Sequence, residues 1–370
     1  MLSITLFPGR YLQGRGALDH LGPECARLGQ KAFLIASPHA QAHLLPGLLP
    51  RVSEHCGVEV ALFGRECCDQ EISRLGELFA PAGCDLVVGL GGGKTLDAAK
   101  MVAHQAGVPA IMAPTIASTD APCSSVSVIY SPAGTFQRAE HLPKNPHAVI
   151  VDTQVVAAAP ARFLVAGMGD ALATWFEAES CRVSRAPNIA GALSSLTAVS
   201  LARLCWDIIR EYGPAALASC TARAVTPALE RVVEANTLLS GLGFESAGLA
   251  AAHALHNGLT ALPAAKNRYH GEKVAFGTLV SLFLTGQTPE IMNEVYGFCE
   301  TVGLPTTLAA LGFQGLTDED LFRVAEKACD PLDSMPHEPH ETSPAILVDL
   351  IKAADAWGAA RQQGTRPLSA

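Results

Sequence analysis

The sequence has little charge and none of the signals that mark nucleic-acid or membrane proteins. Only 16% of the 370 residues are charged, the formal net charge is -9, and no run of basic residues with interleaved aromatics occurs. An acidic chain is a poor general binder of nucleic acid or of anionic membrane surfaces. No uninterrupted apolar stretch reaches the roughly 18 residues of a membrane-spanning helix. We therefore expect neither a nucleic-acid nor a membrane partner.

The cysteines form no recognisable pattern. There are 11 of them, an odd number, and no Cys-x-x-Cys pair occurs. Cys67 and Cys68 are adjacent, which suits neither a disulfide framework nor a zinc knuckle. The N-terminal MLSITLFPGRYLQG has no charged start and no long apolar core, so it does not read as a signal peptide. We expect free thiols in a reducing compartment, the cytoplasm.

Apolar residues are abundant, at 49% of a chain long enough for two domains. Up to about residue 150, short apolar runs alternate with amphipathic segments such as Gln70–Phe79. This alternation is typical of a doubly wound, mainly parallel, Rossmann-like α/β sheet. The predicted strands are Lys31–Ala36, Val58–Phe63, Asp85–Gly89, Pro109–Ala113 and Ala148–Val151, and a β-hairpin is predicted at Ser125–Tyr130.

The second half of the chain has helical composition and almost no strand-like run. We therefore predict two domains, an α/β domain at residues 1–160 and an all-α domain at residues 161–370. Predicted helices include Ile189–Glu211, Thr226–Ser240 and Pro344–Gln362. Gly213-Pro214 is expected to interrupt the helical structure between the first two.

Three histidines stand close together in the helical half. Apolar residues recur near the helical period over Leu249–Leu259, so His253 and His256, three residues apart, share one helix face. His270 precedes a second predicted helix, Glu272–Leu279. Two helices could thus present three imidazoles to one cavity, although hydrogen-bonded histidines of an apolar core remain the alternative. A catalytic zinc site normally has three protein ligands and one open position.

A carboxylate that could complete such a site stands upstream, in GMGDALATWFEA. Asp170 follows Gly169 and opens an alanine-rich helical stretch. At a helix N-terminus an Asp favours the positive end of the helix dipole and needs no metal. A second His-rich stretch, MPHEPHE, contains His337 and His340, but its prolines predict a solvated loop rather than a second metal site.

The stretch VVGLGGGKTLD follows a predicted strand and opens a helix. Glycines there let the backbone approach a pyrophosphate, and the helix start supplies N–H donors. The triphosphate loop would need a Gly at Val88, and the dinucleotide fingerprint would need one at Lys94, so neither motif fits. A tight strand-to-helix turn without a ligand is the alternative.

Longer motifs carry a resemblance. GGGKTLDAAK, APTIASTDAPCSSV, GMGDALATWFEA, FESAGLAAAHALHNGLT and YHGEKVAFGTL resemble, in order, those of the glycerol dehydrogenases, a branch of the iron-containing (type III) alcohol dehydrogenases. The resemblance implies a dehydroquinate synthase-like architecture. It implies that Asp170, His253 and His270 bind a divalent metal, zinc in this branch, with iron or another divalent ion as the alternative. His256 is implied to be a neighbouring histidine that could relay a proton.

The resemblance also implies a cofactor site and a substrate contact. The residues implied for the cofactor are Gly92, Gly93, Lys94, Thr95, Leu96, Asp97, Thr115 and Ser118, with Ser124, Val126 and Tyr130 at its nicotinamide half. Asp120 is implied to reach the substrate hydroxyls. Ser37 stands where the family has an Asp for the ribose 2′-hydroxyl, so NAD is expected while NADP stays open.

The implied function is that of a metal-dependent polyol dehydrogenase, a homo-oligomer that converts glycerol and NAD⁺ to dihydroxyacetone and NADH. Asp170, His253 and His270 would hold the metal with an open position for substrate oxygens. The alternatives are a dehydrogenase of another small diol or hydroxy acid, a lyase related to dehydroquinate synthase, an ATP-dependent phosphotransferase and a non-catalytic binding protein. The lyase would need basic residues for phosphate, and Lys266, Arg268 and Lys273 are the local candidates.

Overall fold

A computed structural model describes residues 2–364. The chain forms two compact units, each made of segments that are not contiguous in sequence. One unit comprises Leu6–Leu164 and Ala215–Gly241, and the other comprises the described parts of Met1–Thr5, Val165–Pro214 and Leu242–Ala370. The two predicted domains, 1–160 and 161–370, remain an expectation, and residues 365–370 of the second lie outside the described residues.

The first unit is built on a parallel sheet of six strands. The strands of the described chain are β1 Tyr11–Gly14, β2 Lys31–Ala36, β3 Gly57–Leu62, β4 Leu86–Gly91, β5 Ala110–Pro114, β6 Val126–Tyr130, β7 Phe136–His141 and β8 Ala148–Asp152. The sheet order is β1-β8-β5-β4-β2-β3, and every pairing in it is parallel. β6 and β7 form a separate antiparallel pair. The predicted doubly wound parallel sheet is confirmed.

Burial explains which strands the sequence reveals. Every residue of β4, β5 and β8 is buried, because helices cover both faces of a parallel sheet, and such strands are continuous apolar runs. β1 was not predicted. It has four residues, YLQG, all of them half-buried, and it pairs with β8 only. A short edge strand with a polar Gln13 has no apolar run to reveal it.

Helices make up most of the remaining described chain. They are α1 Leu21–Leu28, α2 Pro38–His43, α3 Leu45–Ser53, α4 Asp69–Phe79, α5 Gly93–Ala106, α6 Thr153–Ala158, α7 Ala161–Ser184, α8 Leu196–Thr221, α9 Pro227–Glu234, α10 Ser240–Ala247, α11 Ala251–Leu259, α12 His270–Leu284, α13 Pro289–Val302, α14 Asp318–Ala328 and α15 Pro344–Gln362. A π-helical turn, Ala235–Leu239, joins α9 to α10. Across the described residues, none of these helices has the length and apolarity needed to cross a membrane.

The boundaries predicted for α8 are wrong at both ends. The helix begins at Leu196 rather than Ile189, because the Ser195 hydroxyl accepts the Ala198 N–H as an N-cap, and the Asn188 side chain holds a turn upstream. At the other end the helix continues through Pro214 to Thr221. A proline removes one helix hydrogen bond, and α8 continues despite that loss.

The order in which strands are added to the sheet reverses between β2 and β4. β3 lies on one side of β2, whereas the chain then returns to β4 on the other side and continues through β5. Ligands of open α/β sheets bind beyond the carboxyl ends of the strands at such a switch point. β2 ends immediately before Ser37 and β4 ends at Gly91, so the switch point carries both.

In the second unit, two glycines let α7 and α12 come into backbone contact. A methyl group added to Gly271 would overlap the carbonyl oxygen of Ala166, and one added to Gly169 would overlap the carbonyl oxygen of Gly271. No side chain larger than hydrogen fits at either position without a backbone shift. The crossing therefore places Asp170, which follows Gly169, beside His270, which precedes Gly271.

The same device sets two further helix contacts around α11. A methyl group at Gly277 of α12 would overlap the carbonyl oxygen of Ala252, and one at Gly258 of α11 would overlap that of Val324 in α14. α11 is consequently held between α12 and α14 by close backbone approaches. These contacts set the distance between His253 of α11 and the start of α12.

We predict that Gly271→Ala destabilises the protein and removes its capacity to bind a divalent metal. The added methyl group forces α7 and α12 apart, which should cost about 3 kcal/mol, the upper range for overpacking. Thermal unfolding and metal content by elemental analysis measure the two effects.

Gly297→Ala is the matched control in the same unit. Gly297 lies inside α13, and a methyl group there would approach only Arg361, at 3.8 Å. This variant should be stabilised by up to about 1 kcal/mol through helix propensity, with metal binding unchanged. Equal unfolding temperatures for the two variants would contradict the role of the Gly271 contact.

Candidate functional site

Three predicted ligands come together in the second unit. One ligand atom from each of Asp170, His253 and His270 lies within 4.8 Å of the other two. Among the described residues, these three form the group of His, Cys, Asp or Glu side chains that is close enough to hold a metal ion. Asp170 lies in the interior of α7, His253 in the first turn of α11, and His270 at the first position of α12. Two helix starts and one helix interior therefore meet at one point.

Asp170 is the most enclosed member of the group. Its side chain is 1% exposed, and neither carboxylate oxygen accepts a hydrogen bond of normal geometry. The Nε2 atoms of His270 and His253 approach Oδ1 at 3.0 and 3.6 Å. Burial opposes ionisation of Asp170, but the two neighbouring imidazoles outweigh it and hold the pKa of its carboxyl well below the usual range.

These residues fit a divalent cation. A buried carboxylate without hydrogen bonds is costly unless a cation compensates it, and Asp170 has two such oxygens. One carboxylate and two imidazoles form a donor set typical of catalytic zinc sites, in which a fourth position stays open. His270 is 34% exposed, so the group can be reached from solvent.

Glu177 holds the His253 imidazole from behind. Its Oε2 lies 2.6 Å from Nδ1 of His253, and its Oε1 accepts the backbone N–H groups of Ala250 and His253, each at 2.9 Å. A carboxylate accepts only, so Nδ1 carries a proton, and Nε2 is the nitrogen that faces the metal position. Burial lowers the pKa of His253, but Glu177 and Asp170 outweigh it and raise that pKa well above the usual value.

Glu177 was not predicted, although the sequence carries a signal for it. Asp170 and Glu177 are seven residues apart in GMGDALATWFEA, which is two helical turns, so both carboxylates lie on the same face of α7. Both carboxylates approach the imidazole of His253, Asp170 at Nε2 and Glu177 at Nδ1.

His256 lies next to the group without being part of it. Its Nε2 is 3.0 Å from Nδ1 of His270, and its Nδ1 is 3.1 Å from Oδ1 of Asn257. Burial lowers the pKa of His256 well below its usual value, and Coulombic interactions with neighbouring groups, among them Lys273, add to the effect. The imidazole is therefore neutral, and it contacts one ligand rather than a metal.

The segment with His337 and His340 packs on the start of α11 in place of forming a solvated loop. Glu338 is buried; its carboxylate accepts the Ala251 N–H at 2.9 Å and the Ser180 hydroxyl at 2.7 Å. Burial raises the pKa of Glu338 to about 7. Nδ1 of His337 donates to the carbonyl of Leu249, while His340 is exposed. Neither histidine joins a metal-binding group in the described part of the chain.

Two of the three basic residues that a phosphate substrate would need are committed to the backbone. Nε of Arg268 donates to the carbonyl of Leu311 at 2.9 Å. The buried Lys273 ammonium donates to the carbonyls of Ala265 and Arg268, each at 3.3 Å. Lys266 is exposed. This arrangement argues against a phosphate pocket beside the metal group.

In the first unit, the glycine-rich turn joins β4 to α5 at the switch point. Gly92 caps α5, which begins at Gly93. A methyl group on Gly91 would lie 2.7 Å from Oγ1 of Thr95 and 2.9 Å from Cβ of Ser37, so Ser37 borders the turn. The Ser37 hydroxyl accepts the Ala40 N–H at 3.2 Å and caps α2. Ser37 therefore lies beside the glycine-rich turn.

The side chains after the glycines divide into exposed and enclosed ones. Lys94 is exposed, pairs with Glu66 at 2.7 Å and lies 4.6 Å from the ring centre of Tyr130. Thr95, Leu96 and Asp97 are buried. Asp97 forms an ion pair with the buried Lys100 at 2.9 Å, and burial raises the pKa of its carboxyl. Leu96 and Asp97 could reach a cofactor only through their backbone.

Lys100 ties the turn to the segment that follows β5. Its ammonium donates to the carbonyl of Ala121 at 3.0 Å and to those of Ser124 and Val126. Ser124 is buried, and Thr115 donates its N–H to the carbonyl of Gly91. The remaining implied residues of this segment, Ser118, Asp120, Val126 and Tyr130, are half-buried. Asp120 accepts the Ser240 hydroxyl at 2.8 Å. Lys100 was not among the predicted residues, although it stands in GGGKTLDAAK.

Comparison with known proteins identifies the relatives of the chain. Residues 8–153 match the iron-containing alcohol dehydrogenase family. A glycerol dehydrogenase of Thermotoga maritima is 54% identical over 99% of this chain and 100% of its own length. A glycolaldehyde reductase of Halobacterium salinarum is 42% identical over 97% of this chain and 98% of its own. The crystal structure of a probable glycerol dehydrogenase from Sinorhizobium meliloti 1021 superposes with a TM-score of 0.92 at 42% identity, covering 97% of this chain and 100% of that one.

We predict that Glu177→Gln weakens binding of Zn²⁺ by about 10- to 100-fold, the usual effect of removing the partner of a ligand imidazole. Glutamine has one acceptor oxygen for three N–H groups, so one donor loses its partner and the His253 tautomer is no longer fixed. Competition against a chelator measures the dissociation constant. Glu179→Gln, on the same helix and paired with Arg182, is the control and should bind Zn²⁺ like wild type. An unchanged constant in Glu177→Gln would contradict the prediction.

Proposed function

The chain belongs to the iron-containing alcohol dehydrogenase family, and on that premise we propose that it oxidises glycerol to dihydroxyacetone with NAD⁺ and a bound divalent metal. Membership makes the chain an alcohol oxidoreductase with a small-molecule substrate. The observation that carries the proposal is the group Asp170, His253 and His270, in which a buried carboxylate without hydrogen bonds meets two imidazoles. The 54% identity to a glycerol dehydrogenase over nearly the whole chain supports glycerol as the substrate.

Asp170, His253 and His270 would hold the metal, zinc in the first instance. When bound, the cation supplies a Lewis acid that favours ionisation of a substrate hydroxyl, and NAD⁺ supplies the hydride acceptor. Asp170 contributes one negative charge and the imidazoles none, so the group keeps a net positive charge around a divalent cation. Glu177 keeps the His253 lone pair directed into the group, since it accepts the proton on the other nitrogen. Vicinal oxygens such as those of glycerol suit an open position of this kind.

Residues of the first unit would bind the cofactor and contact the substrate. The turn at Gly92 and Gly93 offers N–H groups at the start of α5, where a pyrophosphate is favoured by the helix dipole. Thr95, Leu96, Asp97, Thr115, Ser118, Ser124, Val126 and Tyr130 are the further residues we propose around the cofactor, with Lys94 exposed beside them. Asp120 is proposed to accept hydrogen bonds from substrate hydroxyls.

A second candidate is the reduction of a small 2-hydroxyaldehyde, the reverse chemistry on a shorter substrate. The relative from Halobacterium salinarum named glycolaldehyde reductase favours it, at 42% identity over nearly both full lengths. A lyase related to dehydroquinate synthase is less well supported, because Arg268 and Lys273 already donate to backbone carbonyls. Net accumulation of NADH separates a dehydrogenase from that lyase and from an ATP-dependent phosphotransferase.

The test is a substrate panel on metal-defined protein. We expect the Zn²⁺-loaded enzyme to reduce NAD⁺ fastest with glycerol, compared with other small diols and hydroxy acids, and to lose this activity to a chelator. The absorbance of the reduced nicotinamide measures the rate. Asp170→Ala, His253→Ala and His270→Ala should each lose most bound metal and lower the rate by orders of magnitude.

His256→Ala is the control for the ligand set. The imidazole of His256 contacts His270 rather than the metal position, so this variant should still take up one equivalent at saturating Zn²⁺. Full metal occupancy in His270→Ala would rule out the ligand set. The second candidate would be favoured if the enzyme reduced glycolaldehyde with NADH faster than it oxidised glycerol with NAD⁺, once the equilibrium of each reaction is taken into account.

We also predict that Ser37→Asp sharpens selectivity for NAD⁺. A carboxylate at the end of β2 would accept a hydrogen bond from the ribose 2′-hydroxyl and repel the 2′-phosphate of NADP⁺. The ratio of kcat/KM for NAD⁺ to that for NADP⁺, at saturating glycerol, should rise about tenfold, which corresponds to about 1.4 kcal/mol. Ser37→Asn is the control, because it can cap α2 without a charge, and it should leave the ratio nearly unchanged. An unchanged ratio in Ser37→Asp would mean that residue 37 does not face the ribose.

A further inference from the structure

A series of hydrogen-bonded side chains connects His270 to the carboxylate of Asp333, which lies outside the sequence motifs. Nδ1 of His270 lies 3.0 Å from Nε2 of His256, and Nδ1 of His256 lies 3.1 Å from Oδ1 of Asn257. Nδ2 of Asn257 in turn lies 2.9 Å from Oδ2 of Asp333. Four side chains therefore form one continuous series of hydrogen bonds, all within the second unit.

Asp333 fixes the direction of this series. A carboxylate accepts hydrogen bonds and donates none, so the side chain of Asn257 must turn its NH₂ group toward Asp333. The carboxylate is itself held in place, since its Oδ1 accepts the Ser334 N–H at 2.7 Å. The amide oxygen of Asn257 must then face His256.

The orientation of Asn257 then determines which atom donates and which accepts in the hydrogen bonds of His256 and His270. The amide oxygen of Asn257 can only accept, so Nδ1 of His256 carries its proton. In the tautomer of His256 with its proton on Nδ1, Nε2 is unprotonated and can only accept, and it faces Nδ1 of His270 at 3.0 Å. Nδ1 of His270 must therefore donate, and the proton of that neutral imidazole is on Nδ1. Its Nε2, 3.0 Å from Asp170, keeps the lone pair.

We propose that Asn257 and Asp333 are positioning residues that fix, through His256, the tautomer in which His270 offers its Nε2 lone pair to a divalent metal. This inference rests on the proposed metal site. It gives the two ligand imidazoles equivalent support: Glu177 holds Nδ1 of His253 directly, and Asp333 holds Nδ1 of His270 through two intermediate side chains. With the amide of Asn257 reversed, Nδ1 of His256 would have to accept, its proton would be on Nε2, and His270 would carry its proton on the atom that must bind the metal.

The first test removes the series at its centre. Asn257→Leu keeps the approximate size of the side chain and deletes both hydrogen bonds. We expect the dissociation constant for Zn²⁺, measured by chelator competition, to rise about 10- to 100-fold, as for other partners of ligand imidazoles. Asp330→Asn, an exposed acid three residues before Asp333 whose carboxylate accepts the Leu332 N–H, is the control and should not change the constant.

The second test exchanges the two end groups. In the double variant Asn257→Asp with Asp333→Asn, the carboxylate at 257 still accepts from Nδ1 of His256, and the amide at 333 donates to it while its oxygen still accepts from Ser334. The polarity at His256 is preserved, so Zn²⁺ affinity should return to within about threefold of wild type, against the 10- to 100-fold loss in Asn257→Leu. Asn257→Asp alone opposes two carboxylates and should not recover.

A spectroscopic measurement separates tautomer control from packing. In the Co²⁺-loaded protein, the Nδ1–H of each ligand imidazole gives a paramagnetically shifted proton resonance that disappears in D₂O. Wild type and the double variant should show one slowly exchanging resonance for His253 and one for His270. In Asn257→Leu the His270 resonance should exchange faster or be lost, while that of His253 persists.

The outcomes distinguish this inference from the proposed site. If wild type binds neither Zn²⁺ nor Co²⁺, or if His253→Ala binds them equally well, the metal site itself fails. If wild type binds the metal and His253→Ala does not, but Asn257→Leu keeps both wild-type affinity and the His270 resonance, the tautomer series alone is overturned. Failure of the double variant to recover, with normal thermal unfolding, also overturns it.

Discussion

The metal group depends first on the contact between α7 and α12 at Gly169 and Gly271. Because neither residue has a side chain, the two backbones come close enough for Asp170 and His270 to face each other at 3.0 Å. A larger residue at either position would separate a buried carboxylate from the groups that compensate its charge. Close approaches at Gly258 and Gly277 then set the position of α11, and with it His253.

Charge is the second constraint, because four carboxylates and three imidazoles lie close together around α11. Asp170 and Glu177 stand on either side of His253, and their combined effect raises its pKa despite burial. Asp333 acts at a greater distance, through neutral groups that transmit donor and acceptor direction rather than charge. Glu338 holds the N-terminus of α11 at Ala251. The outer carboxylates thus orient the imidazoles and leave only Asp170 to face the metal position.

The fold of the first unit places backbone N–H donors beyond the carboxyl ends of buried strands. The reversal of strand order between β2 and β4 opens the sheet where Ser37 and the glycine turn lie. The buried pair of Lys100 and Asp97 fixes α5 to the segment Ala121–Val126 through backbone carbonyls. A charge committed in this way is unavailable to a ligand, and it ties the segment beside the turn to α5.

The sequence by itself determined the alternation of strands and helices in the first 150 residues, because buried parallel strands are continuous apolar runs and their helices are amphipathic. It also brought out Asp170, His253, His270 and the glycine turn, since each stands in a local motif. The edge strand β1, the start of α8 and its passage through Pro214 were decided by tertiary contacts that leave no periodic signal. Asn257 and Asp333 are 76 residues apart, so only the packing of α11 against the segment that follows α14 could reveal their hydrogen bond. Local patterns identify the groups that could bind a metal; the fold decides which nitrogen of each imidazole is free to do so.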